Sequence, residues 1–358
     1  QILRDWNATE AEYPLEVCAH RLFEAQAATT PDAVALVFGA QRSSYGELNA
    51  RANRLAHWLR ARGVGPGDRV ALMLDRGFAM VEAILATLKA GAAYVPIATD
   101  APEERLRFML DDATPSLLLT DASRPAAEAF DVVAVRLDAL TDALAAQSEA
   151  NADDAMPSSQ PAYIIYTSGT SGQPKGVLVS HRNLANFCFW CRDAGFTASG
   201  MRMTQFAPYT FDASAGEIFA ALLVGAELHL LDGATIQDPA RLQTYMRAQA
   251  IGFSALPPAY LQQMDPALAP EGFRLLTAGS APTPELARAW ARRGLYLNGY
   301  GPTETTILST AADLGADLSE ESERITIGRP IANTHLYLLD ERMQPVPVGV
   351  PGELYAGG

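Results

Sequence analysis

The residues from Tyr163 to Val177 carry the densest potential for chemistry in the chain. A short apolar run, Tyr163 to Tyr166, predicts a buried strand. It leads straight into Thr167, Ser168, Gly169, Thr170, Ser171 and Gly172, then Pro174, Lys175 and Gly176. Backbone N–H groups in a loop this rich in glycine can turn inward as an anion nest. The hydroxyls donate further hydrogen bonds, and Lys175 adds a point charge. The guest that suits such a loop is a phosphate chain. It is not a Walker A loop, which needs Gly directly before the Lys, where Pro174 stands. Gly176 to Val179 predicts a second strand, so the loop is expected at the tip of a hairpin. A polar surface hairpin with no ligand is the competing account.

Two further stretches could work with that loop. Phe211-Asp-Ala-Ser214 precedes an apolar helical pattern through Ile218, Phe219 and Leu222. Asp212 is then either an ordinary cap at the helix N-terminus or an acidic anchor for a substrate ammonium group. Asn298-Gly-Tyr-Gly-Pro-Thr-Glu304 follows a predicted strand, and in α/β sheets ligands lie beyond the carboxyl ends of strands. There Thr303 could donate to a phosphate oxygen, Glu304 could hold Mg²⁺, and Tyr300 could stack on a base. Each also has a plain turn explanation. Cys188 and Cys191 have the spacing of a redox or metal pair. No second pair exists, and a helix over residues 181–192 would place both among apolar neighbours, so they are expected to be core residues. No GxSxG elbow occurs, which leaves serine-hydrolase chemistry without support.

The elements that must position these residues follow from periodicity. Leu48, Ala52, Leu55 and Leu59 predict an amphipathic helix over residues 46–62, stopped by Gly63. Strands are expected at 69–74, 93–97, 116–120 and 132–137, with helices over Val81 to Leu88 and Glu103 to Asp112. A second series of strands, at 203–207, 226–231, 251–256, 274–278 and 295–298, is separated by helices at 213–224, 239–250, 258–264 and 284–293. This alternation means βαβ units and mostly parallel sheets, an α/β fold. After Thr305 the pattern turns to strands without helices, at 324–327, 335–340 and 353–356. The expected organisation is a linker over 1–14 and a core over 15–358. Within the core lie a first lobe at about 65–205, a second at 206–330 and the start of a β-rich third at 331–358.

Composition narrows the class of partner. With 358 residues, 49% apolar and 19% charged, the chain reads as an ordinary globular protein of more than one lobe. A formal charge of -14 argues against unaided binding to nucleic acid or to an anionic membrane. Three cysteines fit a reducing, cytoplasmic compartment rather than a disulfide scaffold. The start at Gln1 and the stretch Asp5 to Pro14 read like a piece of a longer polypeptide.

With these motifs in place, the chain closely resembles the adenylation domains of nonribosomal peptide synthetases, in the adenylate-forming superfamily with acyl-CoA synthetases and luciferases. Six stretches carry the likeness in the family's order: Ser44 to Leu48, Leu88 to Ile97, Tyr166 to Gly176, Phe211 to Ser214, Asn298 to Glu304, and Gly352 to Gly358. The resemblance implies attack of an amino-acid carboxylate on the α-phosphate of Mg-ATP, loss of pyrophosphate, and transfer of the acyl group to a carrier-domain phosphopantetheine. It implies that the Thr167–Lys175 loop holds the β- and γ-phosphates, that Thr303 and Lys175 act on the phosphates, and that Glu304 binds Mg²⁺. Tyr300 would lie against adenine, with Gly279, Ser280, Ala281, Asn298 and Gly301 nearby. Asp212 would pair with the substrate ammonium group.

Carried over position by position, the side-chain pocket would be lined by Ala213, Gly216, Ala255, Leu276, Ala278, Gly299, Ile307 and Leu308. None is charged, so the expected substrate is large and neutral, aromatic or branched aliphatic. Implied partners are a carrier domain, an upstream condensation domain and a small MbtH-like helper. The family's ribose-binding Asp and the Lys of its C-terminal lobe are not among these residues, and weak adenylation by this stretch alone is the expectation. The alternatives are an acyl- or aryl-CoA ligase on the same fold and a non-catalytic docking core.

Overall fold

The computed structural model describes residues 3–121, 131–153, 155–168, 173–318 and 323–358. In chain order the first strands are β1 (Val34–Phe38), β2 (Gln41–Ser44), β3 (Arg69–Met73), β4 (Ala93–Pro96), β5 (Leu117–Thr120), β6 (Ala134–Arg136), β7 (Pro161–Ser168) and β8 (Pro174–Ser180). The later ones are β9 (Arg202–Gln205), β10 (Glu227–Leu230), β11 (Phe253–Ala255), β12 (Arg274–Thr277), β13 (Tyr296–Tyr300), β14 (Thr310–Asp313), β15 (Arg329–Pro330), β16 (His335–Leu339) and β17 (Glu353–Gly357). The helices that matter here are α1 (Ala19–Thr29), α2 (Tyr45–Arg60), α3 (Phe78–Ala90), α4 (Glu103–Ala113), α5 (Thr141–Ala145), α6 (His181–Asp193) and α7 (Asp212–Leu222).

Two large sheets form. One has six strands in the order β6-β5-β3-β4-β7-β8, parallel except for the β7–β8 hairpin. The other has nine, in the order β15-β14-β13-β12-β11-β9-β10-β1-β2, with a parallel centre and antiparallel edges. A β16–β17 hairpin stands apart from both. The α/β alternation read from the sequence is therefore what the chain adopts. The covered faces explain the composition of the strands: β3, β4 and β5 are buried along almost their whole length, as parallel strands with helices on both sides must be. The helix α2 opens with a full capping box, the Ser44 hydroxyl accepting from Glu47 N–H and the Glu47 carboxylate accepting from Ser44 N–H.

Three expectations need correction. The strand β9 pairs with β10 and β11 in the nine-stranded sheet, and β1 and β2 close that sheet's far edge, so the sheets do not divide at residue 205. Sheet membership depends on which edge is free, which local pattern does not encode. Residues 324–327 are not a strand; the chain pairs only at β15. The segment before Pro14 is hydrogen-bonded to the core: Asn7 donates to Leu336 O at 3.0 Å, Thr9 to Thr334 O at 2.8 Å, and Ala11 N–H to the Asn333 side chain at 3.0 Å. Finally, α1, β1, β2 and β14 fall outside the predicted elements. Among the described residues no helix is long and apolar enough to cross a membrane.

Candidate functional site

The β7–β8 hairpin brings Thr167 opposite Lys175 and Ser168 opposite Pro174. Gly169, Thr170, Ser171 and Gly172 lie outside the described residues. Gly176 packs closely, since a Cβ there would sit 3.0 Å from Ile164 Cγ2 and 3.3 Å from the Tyr166 ring. The Tyr166 hydroxyl donates to Asp112 at 2.5 Å, tying the hairpin to α4. Lys175, on the exposed side, forms an ion pair with Glu304. The Thr167 hydroxyl has no partner among the described residues, and Thr167 and Ser168 line a cavity of about 680 Å³ together with Phe211, Asp212 and Thr303.

Glu304 and Thr303 come from a single turn, Thr303–Thr305, directly after β13 and Gly301-Pro302. The turn ends in two residues with left-handed backbone, Thr306 (φ 65°) and Ile307 (φ 69°). For a β-branched residue such as Ile307 this conformation is strained, and strain of this kind persists only where surrounding contacts over-determine it. Asp212 lies beside this turn, where the Thr303 hydroxyl and the N–H groups of Ala213 and Ile307 favour its ionised carboxylate. Glycine makes the return path fit. A Cβ on Gly301 would fall 2.6–2.7 Å from the backbone of Ile307, Leu308 and Ser309.

Asp212 is the first residue of α7 and sits where two cavities meet. Burial pushes its carboxyl above the usual range, against the opposing effect of the donors around it. On one side is the cavity with Thr167, Ser168 and Thr303. On the other is an apolar cavity of about 430 Å³. Of the eight predicted lining positions, Ala213, Gly216, Ala255, Leu276, Ala278, Ile307 and Leu308 line it. Gly299 does not: a Cβ there would strike Leu308 Cδ2 at 2.6 Å, so Leu308 lies between it and the space. Gly216 leaves less room than its missing side chain suggests, because the Phe187 ring occupies it, 2.9 Å from where a Cβ would stand.

The remaining predicted residues divide. Tyr300 is exposed at the end of β13, and Gly279, Ser280 and Ala281 form an exposed loop after β12, with Gly279 on the apolar cavity. Asn298 is buried, its amide donating to Thr326 O at 2.9 Å, so its side chain braces the segment before β15.

Three site-building residues were not found from the sequence. Glu217, fully buried on α7, accepts from Gln205 Nε2 at 2.9 Å and from the N–H groups of Phe206 and Ala207, both at 3.1 Å. Burial holds its carboxyl up at about 7. The Arg76 guanidinium donates to the carbonyls of Gln205, Phe206 and Ala207 at 2.7, 3.0 and 3.0 Å. The Tyr209 hydroxyl lies 2.6 Å from Ile97 O and 2.9 Å from Leu72 O, and accepts from Leu74 N–H at 3.0 Å. Together they fasten the 205–211 segment, which delivers Asp212, to the ends of both sheets. The only sequence signal was the charge of Glu217 and Arg76 inside apolar patterns. Cys188 and Cys191 are buried free thiols, as expected, but Cys191 also lines the apolar cavity.

Comparison with known proteins agrees with this geometry. Residues 23–358 match the family model described as AMP-binding enzyme. Tyrocidine synthase 2 of Brevibacillus parabrevis is 42% identical over 358 residues, all of this chain and 10% of that protein. Bacitracin synthase 3 of Bacillus licheniformis is 38% identical over 359 residues, all of this chain and 6% of that protein. The chain thus spans a tenth or less of the length of these curated relatives. The crystal structure of the nonribosomal peptide synthetase FmoA3 superposes with a TM-score of 0.88 at 30% identity, over 99% of this chain and 38% of that one. That of holo-AB3403, a four-domain nonribosomal peptide synthetase bound to AMP and glycine, gives 0.84 at 32% identity, over 98% of this chain and 26% of that one. The chain belongs to the AMP-binding enzyme family, and its fold is that of the N-terminal core of nonribosomal peptide synthetase adenylation domains.

Proposed function

We propose that this chain activates an amino acid as its aminoacyl-adenylate, for thioester transfer to a carrier-domain phosphopantetheine in nonribosomal peptide synthesis. The observation that carries the reading is the position of Asp212, a carboxylate shared by an apolar cavity and by a cavity lined with Thr167, Ser168 and Thr303. An ammonium group on Asp212 directs the substrate side chain into the apolar cavity and leaves its carboxylate on the phosphate side. A carboxylate oxygen then attacks the α-phosphorus of ATP, the bond to the β-phosphate breaks, and pyrophosphate leaves. The protein contributes positioning and charge stabilisation rather than covalent chemistry. The ammonium also compensates a carboxylate that burial otherwise makes hard to ionise.

The roles assigned to the hairpin and turn belong to the same proposal. Thr167, Ser168 and Lys175 hold the β- and γ-phosphates, Thr303 meets the α-phosphate, and Tyr300 lies against adenine. Glu304 fits a Mg²⁺ ligand, being an exposed carboxylate beside Thr303; such sites combine one or two carboxylates with substrate phosphates. Bound there, the ion supplies neutralisation of phosphate charge. The apolar walls favour a bulky neutral substrate, and the peptide synthetase relatives support carrier and condensation domains as partners.

Amino-acid-dependent ATP–pyrophosphate exchange across the proteinogenic amino acids, in the protein at its natural full length, tests the reading. The expected leader is a bulky neutral amino acid. Turnover only with acids lacking the amine would move the protein to the acyl-ligase class. A profile led by Asp, Lys or Gly would overturn the assigned pocket.

A further inference from the structure

The apolar cavity continues beyond the predicted lining positions. Asp212, Ala213, Gly216 and Ala220 follow one another down a single face of α7, and all four line the cavity. Eight residues of helix at ~1.5 Å each place Ala220 about 12 Å below Asp212. The floor at that depth is built by Cys191 from the last turn of α6, by Phe253 at the start of β11, and by Thr197. Phe253 holds the floor in place by packing edge-on against Phe196, next to Thr197, with ring centroids 5.5 Å apart.

Thr197 is the anomaly in this floor. It is 2% exposed, yet its hydroxyl has no hydrogen-bond partner among the described residues. Of the other oxygen-bearing side chains on the cavity, Glu217 accepts from Gln205, Phe206 and Ala207, and Asp212 is the proposed partner of the substrate ammonium group. A buried hydroxyl left unpaired is costly, and where it lines a cavity a water or a ligand group can supply the partner. The cavity it lines is large enough for a ligand side chain.

Resting on the adenylation reading above, we infer that Thr197 is a specificity-determining residue. Its hydroxyl meets a hydrogen-bonding group at the far tip of the substrate side chain. The substrate class is then an α-amino acid with a long apolar or aromatic stem ending in one polar group, a para-hydroxylated or para-amino aromatic ring being the form the depth suits. A stem without that tip leaves the hydroxyl unpaired, and sites built to bond a polar group discriminate strongly against analogues that lack it.

The test is pyrophosphate exchange by the full-length protein with matched pairs: tyrosine against phenylalanine, and 4-aminophenylalanine against 4-methylphenylalanine. The wild type should favour the polar member of at least one pair by about tenfold or more in kcat/KM. Thr197→Val, which keeps the shape, should collapse that ratio while leaving turnover of the apolar member within about twofold, and Thr197→Ser should restore it. Preference for the apolar member in both pairs, or ratios that Thr197→Val leaves unmoved, overturns the assignment of Thr197 alone. Absence of exchange with every amino acid instead removes the adenylation reading on which it rests.

Discussion

Lys175, on the second strand of the glycine-rich hairpin, is ion-paired with Glu304, on the turn after β13, across 129 positions of sequence. The pair joins the six-stranded sheet to the nine-stranded one at the mouth of the site. Lys175 holds the Glu304 carboxyl below the usual range. Both partners are about half exposed, so the contact adds little to stability. On the proposed reading, the groups assigned to phosphate and to Mg²⁺ neutralise each other in this structure.

Lys175→Ala and Glu304→Gln should therefore leave the folded state within about 1 kcal/mol of wild type by denaturant unfolding. The same variants should lower kcat/KM for ATP in pyrophosphate exchange by roughly 100-fold. A large loss of stability with unchanged exchange would make the pair structural.

Asp212→Asn keeps the volume but removes the charge and one of the two acceptor oxygens. The expected result is a rise of roughly 100-fold in KM for the amino acid with little change in KM for ATP, since one charged partner of a buried pair is lost. Measuring both constants separates an ammonium anchor from a helix cap, because a cap would move the melting temperature instead.

Gly301→Ala should destabilise by about 1–3 kcal/mol, because the new Cβ meets backbone at 2.6–2.7 Å. Gly299→Ala meets only the flexible end of Leu308 and should cost less, at the lower end of that range. Thermal melts of the two variants side by side decide this ordering.

The pH dependence has a definite sign at His181. The ring is buried, its Nδ1 accepts from Ala19 N–H at 3.3 Å, and burial holds its pKa down to about 4. The unfolded chain binds more protons between pH 6.5 and 4, so the neutral ring's contribution is present above 6.5 and is lost as pH falls toward 4. The melting temperature of wild type should fall more steeply over that interval than that of His181→Gln. Parallel curves would show that the ring is not held neutral.

How much of this was legible follows from range of interaction. The hairpin at 163–180, the parallel strands and Asp212 at the head of α7 are written in local spacing, since turn chemistry and apolar periodicity act within a few residues. The order of the motifs gave the family as well. The chain's own sequence could not tell that β1 would pair with β10, far along the chain, with β2 beside it at the sheet's edge, because edge pairing is decided by which surfaces remain open after the lobes form. Nor could it tell that Leu308 covers Gly299, that Phe187 fills the space beside Gly216, or that Arg76, Tyr209 and Glu217 fasten one segment between two sheets. Residue types and their spacing determined which groups could do chemistry. Only tertiary packing decided which of them share a cavity and which unpaired hydroxyl waits at its floor, because burial and side-chain contact are properties of segments distant in the chain.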